Sequence, residues 1–403
     1  MDTYVKQQQT HGKLRLAVVA GVALAAAAVL AGPAAAANAA TGSGATTVAS
    51  TGAGTDLSRA GGAVFVQTDN GSGNAVVAYQ RAANGALTQA GVYPTGGLGG
   101  QLTGSVVDHL ASQNSLVLDQ ATNTLYAVNA GSDTVSVFAV RGDRLQLIQT
   151  VGSGGTYPVS IAVRGNLVYV LNGLDGGSIQ GFVSLGGRLL PVKAWNRQLG
   201  LDPAATPQFT NTPGDIGFTG DGSQLVVTTK ANGDDIDVFH IGWTGAPSAS
   251  PTVNAEPGAV PFAFVTQGSN RIALAEAGAN AVATFTVNPN GTVTQSASAA
   301  TGQAATCWIA SAGDGLLYAS NAGSGSLSGY QEGPSGSLKA LGNTATDAGT
   351  VDAAGTPDGR FLYAQTGANG IVDEYAVGHG GGLTEIGSVT VPGAVGGEGI
   401  VAS

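Results

Sequence analysis

The sequence predicts an all-β fold, a seven-bladed β-propeller of four-stranded antiparallel blades, on two observations. First, one phrase recurs seven times: an apolar run ending in a polar residue, a turn of Gly, Asn, Ser or Asp, and a second run closed by an aromatic. The closing aromatics are Tyr79, Phe138, Phe182, Phe239, Phe285, Tyr330 and Tyr375, at intervals of 59, 44, 57, 46, 45 and 45 residues, a period built from short strands that marks a propeller. Second, the first copy lacks an opening strand, while the chain ends on a spare one, Glu398-Gly399-Ile400-Val401-Ala402. The C-terminal strand is therefore expected to complete the N-terminal blade and close the ring, leaving no open sheet edge. An open β-solenoid or a pair of sandwiches would leave that displaced strand without a place.

One copy justifies the elements in order. Leu125-Tyr126-Ala127-Val128-Asn129 alternates as a strand, Ala130-Gly131-Ser132-Asp133 supplies a turn, and Thr134-Val135-Ser136-Val137-Phe138 runs back. These are strands B and C of a blade. Strand A, nearest the axis, precedes them and often starts near a proline, as in Pro158-Val159-Ser160-Ile161-Ala162 and Pro213-Gly214-Asp215-Ile216. Turns such as Gly220-Asp221-Gly222 and Pro357-Asp358-Gly359 join A to B, and strand D follows a Gly-x-Leu turn, as at Gly85-Ala86-Leu87 and Gly336-Ser337-Leu338. Long inserts at 91–114 and 188–211 precede the second and fourth blades and give reach over the mouth.

Ahead of the ring, residues 1–39 read as a secretory signal: Lys6, Lys13 and Arg15 form the basic end, Leu16 to Leu30 the apolar segment, and Ala35-Ala36-Ala37 or Ala37-Asn38-Ala39 the small-residue cleavage site. Residues 40–60 are a Thr/Ser/Gly/Ala leader, and residues 61–403 the propeller. A secreted, periplasmic or cell-surface protein is expected, with no stable membrane span once the signal is removed. The formal net charge of −10 disfavours nucleic acid or anionic membrane as partner. A single cysteine, Cys307, excludes an internal disulfide. No histidine lies near it in sequence, so it reads as a small hydrophobe and not a nucleophile.

The repeat Leu-Tyr-Ala-x-Asn-x-Gly-Ser-x-(Thr/Ser)-(Val/Leu)-Ser-x-(Phe/Tyr), followed by Gly-x-Leu and closed by a Gly-Ile-x-Ala tail, resembles the seven-bladed lactonase family of bacteria and fungi, which includes 6-phosphogluconolactonases and 3-carboxymuconate lactonising enzymes. The repeat is of the YVTN/NHL type. The resemblance implies an Arg-His pair at the start of a mid-chain strand A and a Glu at the end of the next strand B, since lactone chemistry uses an acid/base and cationic groups. The matching positions here hold Gly214, Asp215 and Lys230. The family's catalytic set is thus expected to be replaced. A ligand-binding or protein-interaction module using the axial funnel is expected, with a hydrolase of altered mechanism, acting on a lactone or related cyclic ester, as the alternative.

Residues at the start of strand A and the end of strand B are the candidates for that funnel: Lys230, Glu276, Trp308, Asn129, Asn172, Asn321 and Tyr157 for ligand binding, joined by Asp352, Gln365 and Glu398, with Asp215, Lys230 and Glu276 as the groups an enzyme would use. A Lys230 bridge to Asp215 or Glu276 is expected, because a charge facing a desolvated funnel must be paired or wet. The ligand would be a small anionic or cyclic molecule, or the partner a protein or cell-surface component, bound by a monomer. No cofactor or metal is expected. Asp69-Asn70-Gly71-Ser72-Gly73-Asn74 lacks the bidentate Glu of a calcium loop, and no Cys/His cluster has zinc spacing.

Overall fold

The computed structural model describes residues 61–403; the expected signal segment and leader lie outside them. Seven antiparallel sheets follow one another along the chain. The first contains β1 (Ala63–Gln67), β2 (Ala75–Arg81) and β3 (Leu87–Pro94). The second runs through β4 (Leu116–Asp119), β5 (Thr124–Asn129), β6 (Thr134–Arg141) and β7 (Arg144–Gly152). In the third, β8 (Pro158–Arg164), β9 (Leu167–Asn172), β10 (Ser178–Leu185) and β11 (Arg188–Pro191) are joined by the short β12 (Arg197–Gln198). Blade 4 has β13 (Asp215–Phe218), β14 (Gln224–Thr228), β15 (Asp235–His240) and β16 (Thr252–Ala255). Blade 5 has β17 (Pro261–Gln267), β18 (Arg271–Glu276), β19 (Ala281–Val287) and β20 (Val293–Ala300). Blade 6 has β21 (Thr306–Ser311), β22 (Leu316–Asn321), β23 (Ser326–Glu332) and β24 (Leu338–Ala345), and blade 7 has β25 (Thr350–Gly355), β26 (Phe361–Thr366), β27 (Ile371–Val377) and β28 (Leu383–Thr390).

The last strand, β29 (Ile400–Ala402), pairs with β1 in the register Ile400↔Val66, Val401↔Phe65, Ala402↔Val64. Ring closure by the C-terminal strand therefore holds. Beyond the strand, Ala63 N donates to Ser403 Oγ at 2.9 Å and Arg81 to Ser403 O at 2.9 Å.

The repeated phrase sets the packing between blades. All seven closing aromatics are buried, with at most 2% of their surface exposed, and burying each such ring contributes about 1.5–3 kcal/mol. The tyrosine at the third position of strand B reaches the next blade. Tyr363 donates to Gly85 O at 2.7 Å and Tyr318 to Gly381 O at 2.9 Å, Tyr169 donates to Gly245 O, and Tyr126 meets Ser184 Oγ at 3.3 Å. Each acceptor except Ser184 lies in a C-to-D turn, so one motif both fills the interblade core and fastens neighbouring blades, at about 1 kcal/mol net per bond.

Two local differences bear on the mouth. Strand B of blade 4 ends at Thr228, and Lys230 opens a single helical turn, α2 (Lys230–Gly233), with a φ of 52°, a conformation that costs a non-glycine residue energy. The 188–211 insert folds in part, giving β11, β12 and the turn α1 (Gln208–Asn211).

Candidate functional site

The first residues of strand A form a ring about the axis. By register the equivalent positions are Gly399, Ser115, Ser160, Asp215, Ala263, Trp308 and Asp352 in blades 1 to 7. Asp215 and Asp352 act alike: one carboxylate oxygen accepts the next N–H of its own strand, Ile216 or Ala353, both at 2.8 Å, and the other accepts from strand A of the following blade, Phe264 at 3.1 Å or Ile400 at 3.3 Å. Asp215 Oδ1 also accepts Asn114 Nδ2 at 2.9 Å and Ser160 Oγ at 3.0 Å. Burial pushes Asp215 up to about 7, against the pull of those four donors.

The channel at this level is filled by the chain itself. In the connection from β3 to β4, Asn114 O accepts Ile161 N at 2.9 Å, Gln113 N donates to Gly214 O at 3.1 Å, Gln113 Nε2 to Phe264 O at 3.4 Å, and Gln113 Oε1 accepts Ile309 N at 3.0 Å. Ser115 Oγ donates to Glu398 O at 2.9 Å. These bonds reach strand A of blades 3, 4, 5 and 6 and the closing segment of blade 1, so residues 113–115 cross the axis. The segment is shaped by Asp108, whose carboxylate takes the N–H groups of Leu110, Ala111 and Ser112 at 2.8 to 3.0 Å, and it is anchored by Leu102 and Leu110, both in the hydrophobic core.

Lys230 belongs to this plug. Its side chain is completely buried and donates to Ala111 O at 2.5 Å, Phe209 O at 2.8 Å and Thr212 Oγ1 at 3.0 Å, with the Phe262 ring centroid 4.9 Å away. Three acceptors match the three N–H donors of an ammonium. They come from both long inserts, which also touch directly, Thr103 N donating to Gln208 Oε1 at 2.9 Å. Burial pushes the Lys230 amine down to about 7, opposed chiefly by Asp108. The expected bridge to Asp215 or Glu276 is corrected: among the described residues the ion pairs are Arg271–Glu332 and Arg360–Asp358. Lys230 lies two residues beyond Thr228, the last paired residue of strand B, and turns toward backbone carbonyls of the inserts.

The other candidates are placed as follows. Asn129, Asn172 and Asn321 are fully buried and tie down their own B-to-C turns: Asn129 donates to Thr134 Oγ1 at 3.1 Å, Asn172 to Ser178 Oγ at 3.3 Å and Asn321 to Ser326 O at 3.1 Å. Tyr157 donates to His109 O at 3.1 Å, and Trp308 Nε1 to Ser112 O at 2.7 Å, so both brace the plug. Glu276 is buried at the end of β18, with its carboxyl raised by burial and by Glu256. Gly214 has no room for a side chain, since a Cβ there would fall 2.4 Å from Phe262 O. Burial pushes the Cys307 thiol up to about 12, which keeps it protonated. Asp108, Gln113 and Asn114 were missed, and Asp69 was considered only as part of a turn that fails as a calcium loop. The signal for the first three is the mostly polar stretch from Asp108 to Ser115, inside a connection with no strand period.

The arrangement defines a seven-bladed propeller with a chain-filled axis. Residues 72–182 match the family model described as lactonase, 7-bladed beta-propeller. The resemblance read from the repeat is thus upheld on that segment. Among solved structures, a provisionally assigned 6-phosphogluconolactonase from Bacteroides uniformis superposes with a TM-score of 0.69 at 20% identity, covering 85% of this chain and 99% of that one. The periplasmic gluconolactonase of Pseudomonas aeruginosa gives 0.67 at 18% identity, over 85% and 98%. Virginiamycin B lyase of Staphylococcus aureus is more distant, 0.51 at 12% identity over 72% and 89%. A search of curated proteins by sequence finds no match.

Proposed function

We propose that this chain is an exported, lactonase-like propeller that binds a ligand or a protein partner as a monomer and does not turn over a lactone. The observation that carries this reading is that Lys230 and Asp215, at the positions matching the family's Glu and His, have their hydrogen-bonding capacity taken up by the protein: three acceptors for the amine and four donors for the carboxylate. A catalytic acid or base must lie within hydrogen-bond reach of a substrate proton, and both groups sit instead under residues 108–115. Binding then falls to the inserts that cover the axis and to the outer surface, where Trp243 is 99% exposed on the C-to-D turn of blade 4 and Leu185 69% exposed at the end of strand C of blade 3. Aromatic anchors of this kind dominate protein interfaces. Export rests on residues 1–39, and the P. aeruginosa neighbour is periplasmic by name.

The test is a thermal-shift screen of the chain from Ala40 to Ser403 against lactones, sugar acids and aromatic acids, followed by turnover assays on any lactone that stabilises it. Stabilisation without hydrolysis supports a binding module. Hydrolysis that disappears in Asp215→Asn, with the fold retained, would establish the hydrolase of altered mechanism instead.

A further inference from the structure

On the side of the axis where blade 7 meets blade 1, buried oxygen atoms collect without donors. Glu398 is completely buried, and neither of its carboxylate oxygens has a hydrogen-bond partner. Gln67 and Gln365 are equally buried, and the amide oxygen of each is also without a donor. The amide nitrogens, by contrast, are engaged: Gln67 Nε2 donates to Asp69 Oδ1 at 2.5 Å and Gln365 Nε2 to Gln67 O at 3.3 Å. One net holds these residues together, because Gln67 N donates to Gly399 O at 2.8 Å, Glu398 N to Asp69 Oδ2 at 2.8 Å and Ile400 N to Asp352 Oδ2.

Three carboxyl groups, Asp69, Asp352 and Glu398, thus share a buried net in which no Lys or Arg hydrogen-bonds to any of them among the described residues. Leaving such oxygens bare is unfavourable, and more so when they are charged. Protons answer only part of the demand. A proton shared by Glu398 and Asp352 would satisfy one oxygen of each and leave both glutamine oxygens orphaned. A hard cation takes carboxylate and amide oxygens alike.

We propose that the buried polar cluster at the junction of blades 7 and 1 binds one Ca²⁺-class cation through Glu398 and Asp352, with Gln67 and Gln365 supplying neutral amide oxygens. Carboxylates mixed with carbonyl oxygens in an irregular shell suit Ca²⁺, whereas Mg²⁺ demands a near-ideal octahedron and keeps its waters. No three acidic, His or Cys side chains converge closely enough to hold a metal by themselves among the described residues, so the amide oxygens are integral to the site. Asp352, Gln365 and Glu398 were already read as axial residues from the sequence, whereas Gln67, about three hundred residues earlier, joins them only when the ring closes. Burial and the neighbouring Asp352 raise Glu398 well above the usual carboxylate range. Cation binding must then displace protons, and affinity should rise with pH.

The experiment uses the purified full chain stripped with EDTA, with CaCl₂ as the probe. Thermal unfolding should shift upward by roughly 4 °C at a hundredfold excess over Kd, elemental analysis should find about one bound calcium per chain, and the shift should grow from pH 6 to pH 8. Glu398→Gln keeps the shape and should abolish the response; Asp352→Asn serves as a second variant should the first fail to fold. Absence of both bound calcium and a thermal shift in the wild type at millimolar CaCl₂ would overturn the proposal, as would an undiminished response in either folded variant.

Discussion

Replacing Lys230 by Met tests whether the plug is held as described. The change keeps most of the side-chain volume and the contact with Phe262 but removes the group that joins Ala111 O, Phe209 O and Thr212 Oγ1. Where the amine carries its proton, near and below pH 7, hydrogen bonds to a charged donor contribute about 1.5–3 kcal/mol each, and three acceptors would be left unpaired. Against this stands the cost of burying the amine, which the substitution relieves. A net loss of about 3 kcal/mol follows, or a fall in Tm of roughly 4 °C for a chain of this size. The pH dependence supplies a second reading. The folded amine, pushed down to about 7, binds fewer protons than the unfolded one between pH 7 and about 10. Wild-type stability therefore gains from Lys230 as pH rises through that window and loses that gain below pH 7. Denaturant unfolding of both proteins at pH 7 and pH 9 should show the gap between them widening at pH 9. Lys230→Met as stable as wild type at both values, with equal protection of amides 108–115 from hydrogen exchange, would refute the clamp.

Other perturbations probe separate contacts. Gly367→Ala should loosen the plug, because a Cβ there would fall 1.6 Å from Val107 O; faster exchange of amides 107–112 with blades 2 to 6 unchanged is the expected result. Tyr363→Phe should lower stability by about 1 kcal/mol by freeing Gly85 O across the blade 7 to blade 1 junction, measured by denaturant unfolding. Asp215→Asn should flatten the acid limb of the stability profile. The folded carboxyl, pushed up to about 7, holds its proton more tightly than the unfolded one, so the wild type loses stability as pH rises from about 4 to 7 and the variant loses less.

The ring was legible because its information is local and repeated. An aromatic closing strand C, a Leu-Tyr pair in strand B and a Gly turn recur often enough that seven weak signals reinforce one another, and the spare strand at Ile400 to Ala402 declared how the ring closes. The start of strand A was also legible as the axial ring, with Asp215, Trp308 and Asp352 placed there from sequence. What stood on those positions was not. Gln113 and Asn114 lie in a connection without period, and they meet Gly214, Phe264 and Ile309 only after the ring has formed. Lys230 was read as ending strand B and pairing with Asp215 or Glu276 across the funnel, whereas its acceptors, the carbonyl oxygens of Ala111 and Phe209, carry no sequence signature at all.

The position of the closing strand reaches beyond the folded state. Ala63 bonds to Ser403 across 340 residues of chain, and the inner edge of the first sheet stays bare until Ile400, Val401 and Ala402 arrive. Contacts of such long range form late. The ring cannot lock until Ile400, Val401 and Ala402 are available to pair with β1. The same feature ties Ser403 into the closure, since both its hydroxyl and its carbonyl are engaged by the first blade.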